Sequence, residues 1–175
     1  MDKINNITGN FYSDEWYTDQ KTVDLCWELL DVKKEDIICC PFDSEKSLFV
    51  QKALANGNKV IYNIRDFVDS TKYEYTKLIT NPPFSIKDAV IETVYKYGKP
   101  SALILPLDSI GGVKRHSIYS EYTEPVVYIP TKRINYFDKN WIKKQGSNFH
   151  SIITLFNQNK YSGIIWEFNF ERGEK

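Results

Sequence analysis

The chain has 175 residues, enough for one domain with a single good core, and 15% of them are aromatic. Its 23 basic and 23 acidic side chains cancel. That excludes the global basic footprint of a tight stand-alone nucleic-acid binder, so any such contact has to be local. No apolar run approaches the roughly 18 residues that a membrane span needs, and Met1-Asp2-Lys3-Ile4-Asn5-Asn6 is not an apolar leader; a cytoplasmic protein with no membrane contact is expected. Cys26, Cys39 and Cys40 cannot all pair, and the two histidines, His116 and His150, complete no zinc-ligand spacing. The expectation is buried, reduced thiols and no metal.

Residues 1–18 are polar and turn-rich, with Phe11, Tyr12, Trp16 and Tyr17 interleaved. Val23, Cys26, Trp27 and Leu30 then recur at i, i+3, i+4, i+7, which predicts an amphipathic helix over 19–30. The short apolar run Ile37-Ile38-Cys39-Cys40 reads as a strand broken by Pro41. Asp43 or Ser44 is placed to cap the helix that carries Phe49, Val50, Ala53 and Leu54 and stops at Gly57. Lys59 to Asn63 reads as the next strand. Leu78 and Ile79 run into Asn81-Pro82-Pro83-Phe84, after which Ile86, Ala89, Val90 and Val94 mark a helix ending at Gly98 and Pro100. The unbroken apolar run 102–105 is the pattern of a strand buried on both faces of a parallel sheet. Strand and helix alternate from 36 to 107, which predicts a doubly wound α/β fold. The last third differs: 126–129, 151–156 and 164–168 are strand-like with little helix between them. The whole reads as one domain over 1–175, with a polar segment 1–18, a core 19–157, and a C-terminal strand and tail 158–175.

The turn at Asn81 has a chemistry of its own. Two consecutive prolines fix two φ angles and remove two backbone donors, and Asn81, preceding the first, is pushed out of the α region. The free carbonyls, an amide side chain and the aromatic face of Phe84 are thereby gathered in one small volume. At the carboxyl end of a parallel strand such a turn is suited to gripping an amino group on a flat ring.

This stretch resembles the Asn-Pro-Pro-(Tyr/Phe) motif of the amino-methylating DNA methyltransferases. Pro41-Phe42-Asp43-Ser44-Glu45-Lys46-Ser47 is similar to the first cofactor loop of the phage-type adenine-N6 branch, Pro-Phe-Asp-x-Glu-x-Ser. The resemblance, which covers roughly residues 15–157, implies a Rossmann-like S-adenosylmethionine-dependent methyltransferase fold, mostly parallel, with an antiparallel C-terminal edge hairpin. It implies S-adenosylmethionine as cofactor, held by Thr18, Pro41, Phe42, Asp43, Ser44, Asn63, Asp66, Phe67 and Asn81. It also implies that Asn81, Pro82, Pro83 and Phe84 form the catalytic turn for an adenine flipped out of DNA. Two basic windows are matched to DNA, Lys114 and Arg115 in the first and Lys132, Arg133, Lys143 and Lys144 in the second, which also carries Trp141. Such enzymes serve restriction-modification, and a specificity partner protein or a very short target site is expected.

The match has departures. Both glycines of the general cofactor loop are absent, with Ser44 and Lys46 in their places, Cys40 stands for an acidic residue, and Asn63 for the usual ribose carboxylate. These fit a second reading, a methyltransferase fold without activity that serves as a binding or regulatory subunit. A third is an unrelated α/β enzyme whose Asn-Pro-Pro-Phe is only a turn.

Overall fold

A computed structural model describes residues 16–68, 70–144 and 150–171. Phe11, Tyr12 and the rest of the polar segment before Trp16, like the last residues of the tail, lie outside the described residues. The first ordered pieces are a two-residue strand β1 (Tyr17–Thr18) and helix α1 (Gln20–Leu29). Then follow β2 (Ile37–Cys40), α2 (Leu48–Asn56), β3 (Lys59–Tyr62), β4 (Lys77–Thr80), α3 (Lys87–Tyr97) and β5 (Ser101–Pro106). The remainder is α4 (Val113–Glu121), β6 (Val126–Ile129), β7 (Tyr136–Phe137), β8 (Ser151–Phe156), β9 (Ile164–Trp166) and α5 (Glu167–Glu171).

Seven strands form one sheet in the order β3-β2-β4-β5-β8-β6-β9. The pairs β2–β3, β2–β4 and β4–β5 are parallel, and β8 runs antiparallel to both β5 and β6. Beyond them β9 pairs parallel to β6 as the outermost strand. The alternation of side chains along each strand divides the core into two layers. Ile38, Cys40, Ile79, Ala102 and Ile104 pack with Val23, Cys26 and Trp27 of α1 and Phe49, Val50 and Ala53 of α2. Cys39, Leu78, Leu103 and Leu105 pack on the opposite face with Val90, Ile91 and Val94 of α3 and Ile118 of α4. Fully burying a side chain of this kind contributes about 1.5–3 kcal/mol, so both faces have to be covered. All three cysteines are free and buried, and burial pushes their thiols well above the ordinary range.

Helix boundaries follow local chemistry. Asp19 caps α1, its Oδ1 accepting from the Thr22 amide at 2.8 Å. Helices α2 and α3 stop at Gly57 and Gly98, whose φ angles of 80° and 64° suit glycine best. Two expectations need correction, and one helix has no counterpart in the sequence analysis. The cap of α2 is Ser47, not Asp43 or Ser44: the Ser47 hydroxyl oxygen accepts from the Phe49 amide, while the Asp43 carboxylate bridges Ser47 and Thr80 of β4. Helix α4, which begins beside Lys114 and Arg115, is the element that the sequence does not announce, because Ile118 alone on it is buried. The last strand stops at Trp166, where α5 begins, rather than continuing to Phe168.

A smaller ribbon ties the N-terminal side to the last third. β1 pairs antiparallel with β7, the Asp19 amide donates to the Asn135 carbonyl at 3.2 Å, and the Asn135 amide donates to Asp19 Oδ2 at 2.9 Å. One carboxylate therefore caps α1 and clamps the segment before β7. Asp19→Ala is expected to lower stability by about 2 kcal/mol, through the lost cap and a stranded amide. A urea unfolding curve with a lower midpoint and an unchanged slope would bear this out, whereas a loss under about 0.5 kcal/mol would mean the clamp is idle.

Candidate active site

The sheet order contains a switch point. From β2 the chain goes to β3 on one side, and then to β4 and β5 on the other, so the connections leaving the carboxyl ends of β2 and β4 part company and open a crevice. Into it run Pro41-Phe42-Asp43-Ser44 after β2 and Asn81-Pro82-Pro83-Phe84 after β4. The turn after β3 is fastened to the first of these. The Ile64 amide donates to the Pro41 carbonyl at 2.8 Å, and the Asn63 amide to the Asp43 carbonyl at 3.1 Å. Asn63 sits at φ 54°, a left-handed conformation that asparagine tolerates better than most residues.

Asp43 joins the two sides of the crevice. Its Oδ1 accepts from the Ser47 hydroxyl and its Oδ2 from the Thr80 hydroxyl, each at 2.6 Å. Burial pushes the Asp43 carboxyl up to about 6, against the pull of these two donors. Thr80 immediately precedes Asn81, so the loop after β2 and the turn after β4 are coupled through one carboxylate. Sequence reasoning gave Ser47 and Thr80 no role in the site. Ser47 is readable as a potential cap, but the reach of Thr80 toward Asp43 depends on β2 and β4 being neighbours.

The amide oxygen of Asn81 is buried and has no hydrogen-bond partner among the described residues, and the same is true of Thr18 Oγ1. A buried acceptor without a donor costs about 1–3 kcal/mol, and such atoms in a crevice are the kind that a ligand satisfies. Tyr17, next to Thr18 in β1, reaches the loop after β2, its hydroxyl 3.2 Å from Ser44 Oγ. Pro82 is buried, and Phe84, which starts a 3-10 turn over Phe84–Ile86, is half-buried.

The other residues singled out by sequence lie as follows. Asp66 is exposed, and its carboxylate accepts from Lys72 Nζ and the Tyr73 hydroxyl, which hold it below the usual carboxylate range. Phe67 is fully buried, edge-on to Phe42 and stacked on Tyr97 at 5.3 Å. Arg115 fastens α4: its guanidinium reaches Asp88 Oδ1 at 2.9 Å, the Gly111 carbonyl at 2.6 Å and the Asp108 carbonyl at 3.2 Å. Lys114, Lys132, Arg133, Lys143 and Lys144 are exposed, with Lys144 Nζ 4.0 Å from the centre of the Trp16 ring. Among the described residues no group of three His, Cys, Asp or Glu side chains converges to hold a metal, and no helix is long and apolar enough to cross a membrane.

The architecture is a Rossmann-like α/β fold, with a mostly parallel sheet and one antiparallel strand, β8, between β5 and β6. Among solved structures it is similar to a modification subunit assigned to a type I restriction enzyme of Vibrio vulnificus YJ016, at a TM-score of 0.52 and 12% identity over 91% of this chain. A dimethyladenosine transferase from Plasmodium falciparum follows at 0.49, 14% identical over 79% of this chain and 62% of that one. TrmN from Thermus thermophilus follows at 0.38, 13% identical over 76% of this chain and 47% of that one. The chain spans about half the length, 47%, of the modification subunit. No family model matches the chain, and no curated protein matches it in sequence.

Several observations bear on whether this crevice fits S-adenosylmethionine. The unpartnered Asn81 and Thr18 oxygens, the Asp43 carboxylate and the switch-point position fit such a group. The loop after β2 lacks glycines, so backbone approach there is limited by side chains.

The Asp43 carboxyl offers a direct check of the coupling. An unfolded aspartate titrates near 3.8 and the folded one near 6, so folding takes up a proton between these values. Its contribution to stability is full below the lower value and is lost as pH rises through the upper one. Thermal melts between about pH 4 and 7 are expected to find the wild type losing stability, relative to Asp43→Asn, as pH rises. Parallel curves would contradict the buried, doubly bonded carboxylate.

Proposed function

We propose that this chain methylates the exocyclic amine of adenine in DNA, with S-adenosylmethionine as donor and the base turned out of the duplex into the Asn81–Phe84 turn. The observation that carries this reading is the buried, unpartnered amide oxygen of Asn81 at the switch point. An amine with two N–H groups is the donor that this oxygen lacks.

The adenine amine is a poor nucleophile because its lone pair is delocalised into the ring. Acceptance of its two hydrogens by Asn81 Oδ1 and the Pro82 carbonyl favours a pyramidal nitrogen and stabilises the positive charge that develops there. No general base is required before attack, and neither His116 nor His150 is given a role. Pro82 and Pro83 keep the turn rigid, so the acceptors are already in position when the base arrives. Phe84 stacks on the extruded ring, since a base inside the duplex cannot present its amine to a methyl donor. S-adenosylmethionine supplies an electrophilic methyl group on a sulfonium. Thr18, Pro41, Phe42, Asp43, Ser44 and Asn63 line its crevice, and the negative Asp43 carboxylate favours a cation. Asp66 reaches the donor's adenine only by releasing Lys72 or Tyr73, and Phe67 acts by supporting Phe42. A specificity partner protein is part of the proposal, in keeping with the similar Vibrio chain being a subunit.

Asn81→Ala is expected to lower methyl transfer at least about 100-fold. Its stability is expected to stay within about 0.5 kcal/mol of the wild type, because no hydrogen bond to Oδ1 is lost. Unchanged transfer in a folded Asn81→Ala protein would end the proposal.

A second reading, a methyltransferase-fold binding or regulatory subunit without activity, is favoured by the absence of glycines between Pro41 and Ser47 and by Asn63 in place of a carboxylate. Calorimetric titration with S-adenosylmethionine and S-adenosylhomocysteine separates the two. Micromolar binding is expected for the enzyme, and a folded protein that binds neither at millimolar concentration is the subunit.

A further inference from the structure

The hairpin after β7 carries a feature that the proposed chemistry leaves unused. The Trp141 amide donates to the Asp138 carbonyl at 2.9 Å, and the Asp138 amide to the Ile142 carbonyl at 3.0 Å. The Asp138 carboxylate takes up the amides of Asn140 and Ile142, both at 2.9 Å. Phe137 bridges to Lys143, and the Lys144 amide donates to the Tyr136 carbonyl at 2.8 Å. Within this closed loop Trp141 adopts φ 59°. Hairpin loops place glycine at left-handed positions of this sort, and a bulky side chain there is strained.

That strained backbone holds an aromatic plate in a fixed attitude. The Trp141 ring stacks on Tyr17 at 5.2 Å and 19°, with Phe137 tilted against it at 6.0 Å, yet Trp141 remains 44% exposed. Tyr17 is buried, and its hydroxyl touches Ser44 of the loop after β2. The plate is therefore one aromatic layer away from the crevice. Its segment is strongly basic: residues 132–144 carry five basic side chains, Lys132, Arg133, Lys139, Lys143 and Lys144, against the single carboxylate of Asp138. That carboxylate is engaged by the loop's own amides.

A strained, half-exposed indole in a lysine-rich segment matches single-stranded nucleic acid, in which bases expose a π-face and phosphates follow the backbone. We propose that Trp141 is the stacking platform for an unpaired DNA base beside the one delivered to Asn81, with Lys139, Lys143 and Lys144 on its phosphates. This rests on the DNA reading given above.

The test is fluorescence anisotropy of a labelled 12-nucleotide DNA strand, its perfect duplex and the RNA strand of the same sequence, over a range of salt. The wild type is expected to bind the DNA strand more tightly than the duplex. Trp141→Gly, which installs the residue that this φ favours, is expected to weaken strand binding about 5- to 150-fold with the salt slope unchanged, because stacking releases no counterions. Trp141→Phe is expected to hold within about threefold, since a phenyl ring still stacks. The Lys143→Ala, Lys144→Ala double variant is expected to reduce the salt slope by about 1.4, at roughly 0.7 for each single-strand phosphate that is no longer neutralised. Trp141→Gly binding as well as wild type, failure of the wild type to bind the DNA strand, or preference for the RNA would each overturn the platform. Calorimetry with S-adenosylmethionine on the same samples keeps the two ideas apart. Trp141-dependent strand binding in a protein that binds no cofactor leaves the platform standing and removes the enzyme. Methyl transfer that is indifferent to Trp141→Gly does the reverse.

Discussion

One carboxylate couples the two halves of the crevice. Asp43 leaves the end of β2 and is bound by Ser47, at the head of α2, and by Thr80, at the end of β4. Two chain segments some 40 residues apart in sequence are thereby held in register where they diverge. The position of Asn81 depends on this link, because it follows Thr80 directly and its own amide oxygen is anchored by nothing. The cost of burying Asp43 is offset in part by two hydroxyl donors, and what remains shows in a carboxyl group that titrates well above its ordinary value.

Much of the α/β core is readable from the sequence, because its signals are periodic. Val23, Cys26, Trp27 and Leu30 announce α1, and Asp19, where the helix is expected to start, is its cap. The unbroken apolar run after Ser101 announces a strand buried on both faces, and β5 is buried along its whole length. Helix α4 is hidden for the opposite reason. Ile118 is its one buried residue, with Tyr119 half-buried beside it, so its pattern carries almost no apolar period. Local hydrogen bonding likewise moved the cap of α2 from Asp43 to Ser47. Nothing in the sequence says that Asp43 joins the Ser47 hydroxyl to a threonine 37 positions away.

The same limit applies to residue roles. Arg115 reads as a cation facing a polyanion, yet its guanidinium is spent on Asp88 and two loop carbonyls that fix α4 against α3. Phe67 reads equally well as a ring beside a ligand or as core, and it is fully buried between Phe42 and Tyr97. Asp66 reads as an acceptor for an adenine amine, and in the fold it accepts from Lys72 and Tyr73. In each case the residue type was compatible with two partners and the sequence does not contain the distance that decides between them. Asn81 differs, because two prolines restrict its turn before any tertiary contact forms.

The alternation of the sheet has a practical consequence for Cys39 and Cys40. Neighbours in sequence, their thiols lie in opposite halves of the core, Cys40 with Cys26 beneath α1 and α2, and Cys39 beneath α3. Adjacent strand residues point to opposite faces, so these two sulfurs cannot meet across the sheet. Each is shielded from alkylating reagents until its own layer opens. The rates at which the thiols become modifiable are thus a built-in clock for each face, reporting whether the two helical layers detach together or one after the other.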